Sequence, residues 1–293
     1  MDTKKFPAIV VALILIDSLH FVFARLLLPY MPPTSSSFYY MTLALIQIAL
    51  FAAVRRQINW QIFRDNARFF IIIGFLIATA TALSFTAVVY IDPGTASLIA
   101  RMNTIFALGF GILWLKERLT PGQTTGAIIA VIGVFIISFQ LGERSSSLWL
   151  GTLLVLTATF SYALHAAIVK RQGGDIDLTN FLLFRLAATC IFLLIFALAR
   201  GELVWPQGTQ VWLILLLTAT VNVTISRSLY YFVLRRVNLS ILTILLTLSP
   251  IVAILWSIVP FDEQPSLQGL LGGTAVIIGV ILVTLYKPNS QTH

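Results

Sequence analysis

A chain of 293 residues that is 58% hydrophobic and 10% charged, with mean hydropathy +0.95, falls outside the range of water-soluble domains, which average about 45–50% apolar and about 25% charged residues. Most of its surface must face lipid, and the net charge of +8 then sets orientation in a bilayer rather than binding nucleic acid. The one cysteine, Cys190, excludes an internal disulfide and a paired-cysteine metal site.

A helix needs about 20 apolar residues to cross the hydrocarbon core. Ten stretches answer to that: residues 7–28, 37–54, 68–90, 94–115, 121–139, 148–169, 179–199, 210–234, 239–259 and 266–286. The first follows Lys4-Lys5 as a signal peptide would, but its apolar run continues to Leu28 with no Ala-x-Ala site, so a retained span is expected. The joins are short and carry turn formers, such as Asp92-Pro93-Gly94, Pro121-Gly122 and Gly173-Gly174. None has room for a soluble domain. The runs also lack the alternation of a lipid-facing barrel, so the expected fold is an all-α polytopic membrane protein.

With the N-terminus inside, the cytoplasmic joins and ends hold Lys4, Lys5, Arg55, Arg56, Arg64, Arg68, Lys116, Arg118, Lys170, Arg171, Arg235, Arg236 and Lys287, against Arg144 and Arg200 outside. Thirteen against two is a positive-inside bias that puts both termini in the cytoplasm.

The chain also repeats. A shift of 146 positions sets Thr104 on Pro250 and matches Ile105 with Ile251, Ala107 with Ala253, Glu117 with Glu263, Gly126 with Gly272, Gly133 with Gly279 and Val134 with Val280. A shift of 145 matches Leu19-His20 with Leu164-His165 and Trp60 with Trp205. Five spans per half is an odd number, so the second half (148–286) is inverted relative to the first (7–139).

Ten spans in two inverted sets of five, with Glu117-Arg118-Leu119-Thr120 after the fourth and Gly126 and Gly133 in the fifth, resemble the EamA-like branch of the drug/metabolite transporter superfamily. Pro250, Glu263, Gly272 and Gly279 repeat the pattern in the second half, and Arg185 in Phe184-Arg185-Leu186 resembles the arginine often found in the second helix of each unit. The departures are local: Tyr40-Met41 stands opposite Phe184-Arg185, Thr104 opposite Pro250, and Asp262-Glu263-Gln264-Pro265 replaces Glu-Arg-Leu-Thr. The resemblance implies a carrier of small organic solutes, often an exporter of amino acids or related metabolites. It also implies that spans 1–4 and 6–9 surround a central cavity, with spans 5 and 10 at the periphery and Arg185 in a structural role.

Inverted repeats meet near the bilayer midplane, where such carriers hold their solute. A charge there costs about 2.5–3.5 kcal/mol on insertion scales, so the ionisable residues inside the spans carry the information. Asp17 and His20, three apart, share a helix face; the pair either relays a proton or satisfies itself and a nearby arginine as a structural unit. Tyr162 and His165 are also three apart, and His165 echoes His20, which suits packing or cavity lining. Arg101 and Arg227 have no counterpart in the other half. An unrepeated guanidinium suits a carboxylate or phosphate on a solute, although long side chains near span ends can snorkel. Ser97, Arg101 and Thr104 share one face of span 4, and Asn222, Ser226 and Tyr230 one face of span 8. The candidates for the solute path are thus Asp17, His20, Ser97, Arg101, Thr104, Tyr162, His165, Asn222, Arg227 and Tyr230. Gly126 and Gly133, like Gly272 and Gly279, are seven apart on one face and allow close helix approach.

There is no Gly-x-x-x-x-Gly-Lys-Ser/Thr loop, no His-Glu-x-x-His motif and no nucleophile elbow. The expectation is a secondary transporter in a bacterial inner membrane, with a small solute and the bilayer as partners, Asp17 and His20 as the candidates for any proton coupling, and no cofactor, metal or nucleic acid. Oligomeric state is not legible. An integral-membrane enzyme acting on lipid-linked substrates, with Asp17 and His20 as acid and base, is the alternative.

Overall fold

The computed structural model describes residues 6–106, 109–110, 120–138, 145–172, 176–227, 229–230, 246, 249–261 and 266–285. The turns at Lys116-Glu117-Arg118 and Asp262-Glu263, the pair Arg235-Arg236, and residues 239–245 of the ninth expected span lie outside the described residues.

Every regular element among the described residues is helical: α1 (Phe6–Asp17), α2 (Leu19–Leu27), α3 (Pro33–Val54), α4 (Trp60–Asp65), α5 (Ala67–Ala87), α6 (Pro93–Ala100), α7 (Pro121–Ser138), α8 (Ser145–Gln172), α9 (Leu178–Ala199), α10 (Thr209–Leu217), α11 (Thr218–Ile225), α12 (Ser249–Phe261) and α13 (Leu267–Leu285). Stretches within four of these, Pro33–Val54, Ala67–Ala87, Ser147–Val169 and Leu178–Ala199, are long and apolar enough to cross a membrane. The outer faces of these four and of the shorter helices are apolar, as Leu50, Ile128, Phe135, Leu153, Ile191 and Leu255 illustrate; a surface of that kind suits lipid.

Local chemistry sets the helix starts. Asp92 caps α6 by accepting from Thr95 N at 2.8 Å, and Pro93 occupies the first turn. Thr120 and Gln123 close a reciprocal capping box on α7, with Thr120 N donating to Gln123 Oε1 at 3.0 Å and Gln123 N to Thr120 Oγ1 at 3.2 Å. Asp177 caps α9 through Thr179 N and Asn180 N.

The main helix pairs join the two halves of the chain. Helix α3 packs on α9, α5 on α8, α6 on α12, and α7 on α13. In the last pair, a side chain at Gly126 would meet Gly279 O at 2.6 Å, and one at Gly133 would meet Gly272 O at 2.6 Å. The contact is self-complementary and the two helices run antiparallel.

The α3–α9 pair is tied at both ends by the same set of contacts. At one end Asn180 Nδ2 donates to Gln57 O (2.8 Å), Asn59 N donates to Asn180 Oδ1 (2.9 Å), Thr179 Oγ1 donates to Gln57 Oε1 (3.3 Å), and Trp60 packs on Phe184 (5.5 Å between centroids). At the other, Ser35 Oγ donates to Glu202 O, Val204 N to Ser35 Oγ (3.0 Å), Thr34 Oγ1 to Glu202 Oε2, and Trp205 packs on Tyr39 (6.1 Å). Each residue in one set stands 145 positions from its counterpart in the other. The helix endings match too: Gln57 N reaches Ala52 O and Glu202 N reaches Ala197 O, both at 2.9 Å, around left-handed residues Arg56 (φ 51°) and Gly201 (φ 63°).

Candidate solute-binding site

Three helices break their regular winding inside the bundle, and each break carries polar side chains. Between α1 and α2 the ladder is interrupted at Ser18, whose hydroxyl donates back to Leu15 O at 2.7 Å; such back-bonding bends helices. Asp17 and His20 flank this point. Helix α6 stops at Ala100, and Arg101 and Met102 form a tighter turn, with Arg101 N bonded to Leu98 O and Met102 N to Ile99 O, before helix resumes at 103–106. Helix α10 passes into the wide π-type winding of α11, which contains Asn222. Gln47 of α3 braces that winding, donating to Thr220 Oγ1 (2.8 Å) and accepting from Thr224 Oγ1 (2.7 Å). Irregular backbone at membrane depth survives where it is buried in protein or lines a wet cavity, and π-type turns concentrate at functional sites.

These breaks are linked by side chains. Arg101 Nη2 lies 3.9 Å from Asp17 Oδ2, with the two side chains 19% and 24% exposed. Arg101 Nη1 also donates to Leu246 O at 2.8 Å, and Ser249 Oγ donates to Asp17 Oδ2 at 3.3 Å. The Asp17–Arg101 contact is thus a long ion pair, each end of which has a second partner. His20 Nδ1 lies 3.0 Å from Asn222 Nδ2 and the ring meets Phe21 and Phe85 edge-on, while the Asp17 charge still acts on it.

A second strip runs from Phe85 across α5 to α8. Tyr40 stacks on Phe85 at 5.0 Å, Thr81 lies one turn earlier on α5, and its hydroxyl is 3.2 Å from the Tyr162 hydroxyl. His165 follows Tyr162 by three residues and is buried. Arg227 lies close enough to His20, Tyr40, Tyr162 and His165 to act on each through its charge.

Seven of the ten sequence candidates thus converge: Asp17, His20, Arg101, Tyr162, His165, Asn222 and Arg227. Ser97 is buried on α6 and Thr104 half-buried in the 103–106 turn, but neither side chain bonds to the others among the described residues. Tyr230 is half-buried in a helical turn at 229–230. Arg185, read as structural, is buried on α9 with its guanidinium 5.8 Å from the Phe181 ring. Arg25 donates to Val88 O at 2.8 Å, which joins the ends of α2 and α5. Participants missed include Tyr40, Gln47, Thr81, Phe85 and Ser249. Thr81 sits in the run Ala78-Thr79-Ala80-Thr81-Ala82, whose small and hydroxylated residues are the kind that let helices meet in a membrane.

A model of the EamA-like transporter family matches residues 7–139 and 149–285. The chain belongs to the EamA-like transporter family. It is similar to the uncharacterized transporter YdfC of Bacillus subtilis, 26% identical over 201 residues that make up 69% of this chain and 65% of that protein. It is also similar to a probable terminal-alkyne amino-acid exporter of Streptantibioticus cattleyicolor (26% over 203 residues, 67% and 65%) and to the biotin transporter of Salmonella typhimurium (24% over 204 residues, 69% and 68%). The chain thus spans just under two thirds of YdfC's own length. A solved structure named only as a crystal structure of a protein superposes with a TM-score of 0.66 at 19% identity, covering 95% of this chain and 96% of that one, which is a likeness of fold. The family and these names are those of drug/metabolite transporters rather than enzymes, and this EamA-like chain is an integral membrane protein.

Proposed function

We propose that the chain is a secondary carrier that exports small organic solutes, such as amino acids or related metabolites, by alternating access about a central site. The observation that carries this reading is the junction of three interrupted helices on one polar cluster inside an otherwise apolar bundle. Carriers of inverted-repeat type build solute sites from discontinuous helices at such a point. The paired contacts at the two ends of α3 and α9, and the antiparallel α7–α13 contact, support two inverted five-helix units at residues 7–139 and 148–286. The positive-inside count supports cytoplasmic termini, in a bacterial inner membrane. An amino acid and biotin, named for two relatives, share a carboxylate, and the cluster's uncommitted cation suits one. Asp17, beside Arg101 and Ser249, is the only acid in the cluster among the described residues and the group that would couple transport to protons. Purified protein in proteoliposomes should move labelled amino acids or organic acids under an imposed solute or proton gradient; a folded preparation that moves none of them removes this reading.

A further inference from the structure

We infer that His20, His165 and Arg227 form a carboxylate-binding site, and that this group rather than an amino group is what the chain recognises on its solute; the inference rests on the carrier reading above. The two histidines are 145 positions apart, one on α2 and one on α8, and the Nε2 atom of each is buried with no hydrogen-bond partner. Buried polar atoms are nearly always satisfied, so two unsatisfied imidazole nitrogens call for a ligand; Arg227 acts on both histidines through its charge, and Arg185 acts on His165 as well. Asn222 Nδ2 and His20 Nδ1 are hydrogen-bonded at 3.0 Å; with the amide nitrogen as donor, the ring proton sits on Nε2. That atom is therefore a donor and needs an acceptor. His165 makes no side-chain hydrogen bond among the described residues, and its Nε2 can donate in the same way.

Arg227 supplies the charge. Its guanidinium has no ion pair or hydrogen bond among the described residues, whereas Arg101 is held by Asp17 and Leu246 O, and Arg185 lies over Phe181. One uncommitted guanidinium balances one negative charge. A carboxylate matches that, while a phosphate monoester carries about −1.5 to −2. A guanidinium also bonds a carboxylate in a planar, two-pronged fashion. Beside these groups, Phe85 meets the His20 ring edge-on and the Thr81 and Tyr162 hydroxyls lie 3.2 Å apart. Asp17 already accepts from Ser249 and faces Arg101, so no free carboxylate is left in the cluster for a solute ammonium.

Ring-labelled histidine read by NMR tests this in nanodiscs, because the chain has three histidines and the third, His293, serves as the comparison signal. Titrating acetate, butyrate and benzoate should shift the His20 and His165 signals saturably. The matching amides should not shift them, and N-acetyl-leucine should act at least as strongly as leucine. Arg227→Ala should weaken butyrate about ten- to hundredfold, the size of a lost charge-assisted bond, with Arg227→Lys in between. Amides as effective as acids, a response to methyl phosphate alone, a linear unsaturated drift, or no response in wild-type protein each overturn the proposal, and none of these requires the variants to fold. Flux in proteoliposomes is read separately. Saturable histidine shifts without flux would sink the carrier reading and leave the carboxylate site standing, and flux without shifts would do the reverse.

Discussion

Replacing Gly279 by alanine should open the α7–α13 interface. A Cβ there would lie 2.5 Å from both Ala130 N and Gly126 O, and 2.8 Å from Ala130 Cβ. Carbon–oxygen contacts at close helix pairs run about 3.3–3.6 Å, so the helices must part by roughly 0.8 Å. Overpacking of this kind costs about 1–3 kcal/mol, and alanine's better helix propensity offsets at most about 1 kcal/mol of it. Gly133→Ala meets Gly272 O at 2.6 Å and should behave alike. Gly109, with nothing within 4 Å, is the opposite case, and its alanine variant should be neutral or stabilising. The assay is thermal unfolding of detergent-purified protein followed by tryptophan fluorescence. Because Gly126 and Gly279 face each other, Gly126→Ala with Gly279→Ala should cost less than the sum of the single changes. Equal effects at Gly279 and Gly109 would refute the backbone-on-backbone packing.

Asn180→Ala removes bonds to Gln57 O and Asn59 N, and Ser35→Ala removes their counterparts at Glu202 O and Val204 N; each should lower stability by about 1–3 kcal/mol in the same unfolding assay. The two left-handed helix ends should respond oppositely, Arg56→Gly raising stability and Gly201→Ala lowering it by about 1 kcal/mol. Arg101→Met strands Asp17 beside Ser249 and should destabilise by about 1–3 kcal/mol, whereas adding Asp17→Asn should recover part of that loss. If the double variant is as unstable as the two losses summed, Asp17 and Arg101 do not act on each other.

The apolar spans and the glycine pairs were legible because both are local signals: a run of residues lipid can solvate, and two small residues on one face. Five members of the cluster (Asp17, His20, Arg101, His165 and Arg227) were legible because a charge or imidazole inside an apolar run stands out, and Tyr162 and Asn222 because of helix-face spacing. Their partnering was not. Asp17 and His20 share a face, which suggested a pair, but tertiary packing gives Asp17 to Arg101 and Ser249 and His20 to Asn222 across 202 positions. Nor did the interruptions at Ser18 and Arg101 announce themselves, since neither carries the glycine or proline that ordinarily punctuates a helix. Gln47, which braces α11, reads in sequence as one polar residue inside the second apolar span. The contacts at the ends of α3 and α9 were half visible: Trp60 and Trp205 showed the register, while Ser35 fell in a join and Asn180 at the start of a span, with no sign of their partners.

Solute counterflow tests the carrier reading most directly. Proteoliposomes loaded with unlabelled amino acids and biotin, diluted into the labelled compounds, need no assumption about the coupling ion. At least one labelled carboxylate should accumulate transiently above protein-free vesicles. Arg227→Ala at matched folded protein should abolish that overshoot, and Gly109→Ala should retain it. If wild-type protein shows no overshoot with any compound, or Arg227→Ala shows an undiminished one, the polar cluster is not the path of a carried solute.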